Sequence, residues 1–184
     1  MTCSDKTSIV LHACCGPCLT HCALALRREG REPVVFFSNS NIAPRDEYET
    51  RLASARKFSD AEGFEFVEDA YDNDAWRETM RGLETEPEGG ARCAECFRFN
   101  LLRAARFAAE HGIAEFTTTL TVSPKKRSAT VFESARAAAA EVAGVSFAPY
   151  DFKKKNGFLE SVKLAEKYGL YRQNYCGCSF SKML

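Results

Sequence analysis

The stretch Ser8-Ile9-Val10-Leu11-His12-Ala13-Cys14-Cys15-Gly16-Pro17-Cys18 carries the decision about the fold. Its first six residues are apolar in the main and β-branched near the start, which predicts a buried strand over 8–13. The run stops at Cys14-Cys15-Gly16-Pro17, and a proline suits the first turn of a helix, where its missing amide hydrogen is no loss. A helix is therefore expected from 17 to about 28, ended by Gly30, with the next apolar strand over 33–38. Strand, helix and strand in this order predict a β-α-β unit with Cys14 and Cys15 at the carboxyl end of its first strand.

The same alternation continues outward. A long amphipathic helix is expected after Pro44, carrying Glu47, Tyr48, Arg51, Leu52, Ala55 and Phe58 and stopping near Gly63, before a third strand over 64–67. A short helix follows over 74–81, and the polar segment 84–90 reads as a mobile loop that delivers the chain to Cys93. Residues 93–110 predict a helix with Phe97, Leu101, Ala104, Ala105 and Ala108 on one face, then a strand over 115–120. An alanine-rich helix over 128–143, a strand over 145–148 and a helix over 157–168 complete the pattern. The expectation is an α/β protein, one domain over 1–184, with a mostly parallel sheet, helices on both faces and a metal or ligand site at the carboxyl ends of the strands.

Composition bounds the function. The chain has 184 residues, 45% of them hydrophobic, which excludes disorder, collagen and a bare coiled coil. Its 25 lysines and arginines against 25 aspartates and glutamates argue against coating nucleic acid by bulk charge, while leaving local basic patches free to meet phosphates. No apolar run has the length of a membrane span and residues 1–6 have no signal-peptide core, so the expected location is the cytoplasm, with no membrane partner. In a reducing compartment nine cysteines read as ligands or redox groups. Four fall within 14–22, two are Cys93 and Cys96, two are Cys176 and Cys178, and Cys3 stands alone.

Cys14 and Cys15 at a turn, with Cys93 and Cys96 one helical turn apart, supply four thiolates, a set that fits tetrahedral zinc or a [4Fe-4S] cluster; the spacing does not choose. Cys3 and Cys22 read as small buried hydrophobes. Cys176-Gly177-Cys178 closes a very small ring if oxidised, which suits a reducible catalytic couple, with extra metal ligands as the competing reading. Cys15-Gly16-Pro17-Cys18 also matches the pair of thioredoxin-like enzymes, the basis of a rival reading as a metal-free thiol-disulfide oxidoreductase, though that chemistry uses neither Cys14 nor the later pairs. A zinc-stabilised RNA-binding module is a third class.

The ordered motifs Leu11-His12-x-Cys14-Cys15-x-Pro17-Cys18, Asn39-x-Asn41-Ile42-x-Pro44-x-x-Glu47-Tyr48-x-x-Arg51, Cys93-x-x-Cys96, Thr118-Thr119-Leu120-x-x-Ser123-Pro124-Lys125, Asp151-Phe152-Lys153-Lys154 and Leu170-Tyr171-Arg172-Gln173-x-Tyr175-Cys176-Gly177-Cys178 closely resemble the QueH family of epoxyqueuosine reductases, from about residue 9 to 180. The resemblance implies a Rossmann-like scaffold and reduction of epoxyqueuosine to queuosine at the wobble position of tRNA, without cobalamin. By position it implies a [4Fe-4S] cluster on Cys14, Cys15, Cys93 and Cys96 and a redox-active pair at Cys176 and Cys178. Cys18 either replaces one of the four ligands or binds an additional iron. Deoxygenating an epoxide takes two electrons and two protons, so a cluster, a Lewis-acidic iron, a dithiol and a low-potential electron donor are suitable parts.

Around these, Asn39, Asn41, Glu47, Tyr48 and Arg51 read either as a substrate pocket at the end of the second strand or as caps. Lys125 and Lys153, in the basic runs 125–127 and 153–155, are the phosphate candidates, and Tyr48, Trp76 and Tyr175 the candidates for stacking on a base. His12 reads as a satisfied buried histidine ahead of a tuner of the metal site. Asp151 is either a general acid or an ion-pair partner. His21 and His111 are given no role.

Overall fold

The computed structural model describes residues 7–182; Cys3 lies outside them. The strand read first, β1 (Thr7–His12), runs up the middle of a five-stranded sheet. It pairs in parallel with β2 (Arg31–Phe37) on one side and with β4 (Glu115–Thr118) on the other. Beyond these lie β3 (Phe66–Glu68) and β5 (Ser146–Phe147), also parallel, giving the order β3-β2-β1-β4-β5. This is the doubly wound arrangement, in which the chain leaves β1 in one direction across the sheet and later returns to its other side.

The helices fall on two faces. Ile9, Leu11, Val35 and Phe37 point to a core with α1 (Gly16–Arg28), α2 (Arg45–Glu62) and α6 (Gly157–Lys167). Val10, Phe36 and Phe116 point the opposite way, to α4 (Ala91–Glu110) and α5 (Ser128–Ala140). Both sides of β1 are thus apolar, as a central parallel strand requires, and each fully buried Leu, Ile or Phe contributes about 1.5–3 kcal/mol. A short α3 (Asn73–Thr79), capped by the Asp72 carboxylate on the Ala75 amide, precedes α4.

Close packing fixes α1 against α2. A Cβ at Gly16 would stand 2.8 Å from the backbone carbonyl carbon of Ser54, so only glycine lets the two helices approach at the point where the first cysteines leave the sheet.

Several element ends shift by one to three residues, and three departures have a visible cause. The strand expected over 115–120 ends at Thr118, because its hydroxyl accepts the Leu120 amide at 3.2 Å and turns the chain into a 3₁₀ turn, Thr119–Val122. The third strand starts later than expected, since Gly63 ends α2 in a left-handed conformation and the Phe64 amide still bonds back to Ser59. The segment read as a mobile loop is held: the buried Arg92 guanidinium donates to the carbonyls of Leu83, Glu84 and Glu86, and the Ala91 amide donates to the Glu86 carboxylate. Among the described residues no helix is long and apolar enough to cross a membrane.

Candidate thiol and metal site

The strand order reverses between β1 and β4, and ligand sites of doubly wound sheets open at the carboxyl ends of the strands there. Cys14 sits at that place. Its amide donates to the Thr119 hydroxyl at 3.0 Å, and that hydroxyl lies 3.2 Å from the Cys14 sulfur. His12 is buried one step below, with Nε2 against the Ser38 carbonyl at 2.9 Å and Nδ1 against the Thr118 hydroxyl at 2.9 Å. A carbonyl accepts only, so Nε2 carries the proton and Nδ1 accepts from Thr118. Burial lowers the His12 pKa, with the Ser38 carbonyl opposing, and both ring nitrogens are engaged: it is the satisfied histidine of the first reading. Asn39 donates to the Ala13 carbonyl at 2.8 Å, so β1, β2 and β4 all grip the turn.

At this turn the sulfurs of Cys14, Cys15 and Cys18 lie within 4.8 Å of one another, at the start of α1. Three soft sulfur donors converging in a buried place fit a thiophilic metal centre such as zinc or iron–sulfur. Hydrogen bonds from the Cys15 and Cys18 thiols, with the Thr119 hydroxyl and Lys126 adding to them, pull Cys14 well below the ordinary thiol range. As donor to Cys14, Cys15 is pushed up to about 12, and Cys18 is raised for the same reason. Metal binding at the triad would displace the thiol protons. Cys22 packs in the core, as expected.

Cys93 and Cys96 are elsewhere. Together with Cys176 and Cys178 they line a neighbouring cavity of about 280 Å³. The Cys93 sulfur accepts the Gly89 amide at 3.2 Å, and the Cys96 sulfur accepts the indole N–H of Trp76 at 3.3 Å. Burial raises both thiols. Asn100, one turn further along α4, bridges the Cys96 carbonyl to the Asn41 side chain at 3.1 and 3.0 Å. In the last pair the Cys176 thiol donates to Cys178, lowering Cys178 to about 6 against the effect of burial, while Cys176 rises.

Lys126 joins the two cysteine groups. It lines the cavity, and although burial opposes its charge, the sulfurs of Cys176, Cys14, Cys18 and Cys15 hold its pKa above the ordinary lysine value. The sequence placed Lys126 with Lys125 in a basic run facing the tRNA backbone, and not against the cysteines; within a run of three basic residues no local pattern tells the inward side chain from the outward ones. Trp76, expected to stack on a base, is 1% exposed and spends its N–H on Cys96. A buried indole seeks such a partner.

The remaining expected residues divide. Tyr48 is 1% exposed, its hydroxyl 3.3 Å from Glu68, so its ring does not lie open for stacking; Tyr175 is half-buried, with the Arg51 guanidinium 5.1 Å over its ring. Arg51 is spent inside the protein, on Glu47 and on the carbonyls of Tyr175 and Cys176. Lys153 donates to the Lys126 carbonyl, and Asp151 accepts the Ser128 hydroxyl at 2.9 Å beside the first residue of α5. Lys125 is exposed on the cavity rim, next to Arg127. Cys15, the nucleophile of the thioredoxin-like reading, is fully buried and shares its hydrogen with Cys14, a poor position for exchange with a protein disulfide.

Known proteins resemble this chain over most of its length. The family model for epoxyqueuosine reductase QueH matches residues 9–183. The epoxyqueuosine reductase QueH of Streptococcus pyogenes serotype M1 is 38% identical over 184 residues, covering 97% of this chain and 71% of that protein. The corresponding proteins of Staphylococcus epidermidis and Thermotoga maritima are each 33% identical, covering 97% and 95% of this chain and 78% and 90% of their own length.

Proposed function

From the premise that this chain belongs to the epoxyqueuosine reductase QueH family, we propose that it reduces epoxyqueuosine to queuosine at the wobble position of tRNA, in the cytoplasm, working as a single domain. The observation that carries the reading is the cavity in which Cys93, Cys96, Cys176, Cys178 and Lys126 face one another beside the Cys14–Cys15–Cys18 triad. The metal-free alternative, exchange through Cys15 and Cys18, needs an accessible Cys15 and leaves that cavity without a purpose.

An iron–sulfur group here would be held first by Cys14, Cys15 and Cys18, whose sulfurs converge; Cys93 and Cys96, the other ligands that the family resemblance implies, would reach it from the adjoining cavity. Such a group passes single electrons and supplies Lewis acidity. The chain's own residues do the rest. Cys176 and Cys178 release two electrons and two protons as their S–S bond forms; these convert the epoxide oxygen to water as the carbon–carbon double bond appears, and a low-potential donor then restores the dithiol. The Lys126 ammonium faces the oxygen as it gains negative charge, and Lys125 on the rim meets a phosphate of the anticodon loop. Asn41, through Asn100, stands behind Cys96 and Arg51 behind Cys176, Asn39 holds the turn before Cys14, and Lys153 steadies Lys126 through its carbonyl.

The test is direct. Protein purified without oxygen is assayed for iron and acid-labile sulfide, then incubated with tRNA bearing epoxyqueuosine and a low-potential reductant. The expected result is a brown protein and a nucleoside lighter by one oxygen in the digest. Colourless protein that stays so after anaerobic reconstitution, with no change in the nucleoside, overturns the reading.

A further inference from the structure

We propose that Arg51 is a positioning residue that holds the Cys176-Gly177-Cys178 turn in the one shape in which its sulfurs pass between dithiol and disulfide. This rests on reading that pair as a redox couple. Arg51 lies on the second turn of α2, is 2% exposed and does not line the cavity. Its guanidinium donates to the Cys176 carbonyl at 2.7 Å and to the Tyr175 carbonyl at 3.3 Å, while Nε donates to Glu47 at 2.7 Å. Glu47 is fixed in turn by the Tyr171 hydroxyl, 3.1 Å away.

The rest of the turn is tied just as closely. The Gly177 carbonyl accepts the Ala43 amide at 2.9 Å, and the Gly177 amide donates to the Ser181 hydroxyl at 3.3 Å. Gly177 has φ +112°, and a Cβ there would stand 2.7 Å from Arg51 Nη1, so glycine and guanidinium are packed face to face. Placing a cation out of water is costly, and here its hydrogen bonds are spent on one carboxylate and on the backbone of the turn. A surface turn between two thiols has no need of that investment.

The consequence is chemical. A turn free to relax would let the thiols separate each time the disulfide is reduced, and reoxidation would have to gather them again. A turn held from behind keeps their effective concentration high, which favours the disulfide and lowers its reduction potential. Removing the clamp should raise that potential.

The iron-loaded protein, unmodified and as Arg51→Met, Arg51→Lys and Glu47→Gln, is equilibrated without oxygen against mixtures of reduced and oxidised glutathione. In this exchange the Cys176 and Cys178 thiols form one S–S bond, and the S–S bond of oxidised glutathione takes up the two electrons and two protons to give two thiols. Alkylation and mass spectrometry of the peptide carrying both cysteines read the fraction oxidised. Arg51→Met is expected to lower the equilibrium constant for disulfide formation about tenfold, a rise of about 30 mV in potential. Arg51→Lys and Glu47→Gln should move it less, in the same direction, with iron and sulfide content unchanged; they carry the test if Arg51→Met fails to fold. An unchanged or oppositely shifted equilibrium in folded, iron-loaded variants overturns the role of Arg51 while leaving the couple intact. Failure of the unmodified protein to form the disulfide at any glutathione ratio removes the redox reading itself, and the clamp with it.

Discussion

The two cysteine groups are built in opposite ways. Cys14, Cys15 and Cys18 come from one turn, and their frame is the carboxyl end of the sheet, gripped by His12, Asn39 and Thr119. Cys93, Cys96, Cys176 and Cys178 come from a helix start and the far end of the chain, and scattered contacts hold them: Trp76 on Cys96, Arg51 behind Cys176, the Ala43 amide on the Gly177 carbonyl, and the Arg92 guanidinium 4.6 Å from the Phe180 ring. The first group cannot change shape without unpicking the sheet, which suits permanent ligation. The second is hung from contacts that can be adjusted singly, which suits a couple whose bond must form and break.

Removing a sulfur from the rigid group should have the largest effect. Cys14→Ser is expected to lose most of its iron and to lower turnover of the modified tRNA by at least about 10³-fold, measured by iron analysis and by nucleoside mass. Normal iron with normal turnover would erase the division between the groups, since the triad would then not be what holds the metal.

Cys178→Ser probes the other side. Its iron should remain and its multiple turnover should fall by about 10²-fold, with any residual activity limited to the electrons stored at the outset. Loss of iron in this variant would instead make Cys178 a metal ligand and remove it from the redox couple.

How much of this was legible follows the same division. The β1–turn–α1 segment is local: apolar strand, cysteine, glycine and proline each act on their neighbours, so strand, helix and the sheet position of Cys14 could be read directly. The alternation of strands and helices likewise gave the parallel sheet and its two covered faces. The end of β4 was less readable, because a single threonine hydroxyl at Thr118 decides where the strand turns. The second group was readable only as spacings. That Arg51 would face the tail instead of a substrate depends on contacts across 125 positions of sequence, and that Lys126 instead of Lys125 turns inward depends on how the loop after Val122 is seated. Neither is encoded in the few residues around it.

Trp76→Phe sharpens the comparison more finely. It keeps the ring that packs on Phe180 at 6.0 Å and removes only the N–H that Cys96 accepts. Loss of such a supporting donor typically costs 10–100-fold in metal affinity or activity, so turnover should drop by about that factor while the melting temperature hardly moves. If activity is untouched, Cys96 is held by the α4 backbone alone, and the second group is more rigid than its construction implies.

The smallest effect should come from a support of the rigid group. Asn39→Ala removes the donor to the Ala13 carbonyl, leaving a buried acceptor unpaired at a cost of about 1–3 kcal/mol. For a chain of this size that is a fall of roughly 2–4 °C in Tm per kcal/mol, readable by calorimetry on the iron-loaded protein. Because His12 at the end of β1 and Thr119 just after β4 still hold the turn, the sulfurs should stay in place and iron content should match the unmodified protein. A variant that kept its stability but lost its iron would show the opposite arrangement: a triad poised by one amide, and no more rigid than the pair at the other end of the chain.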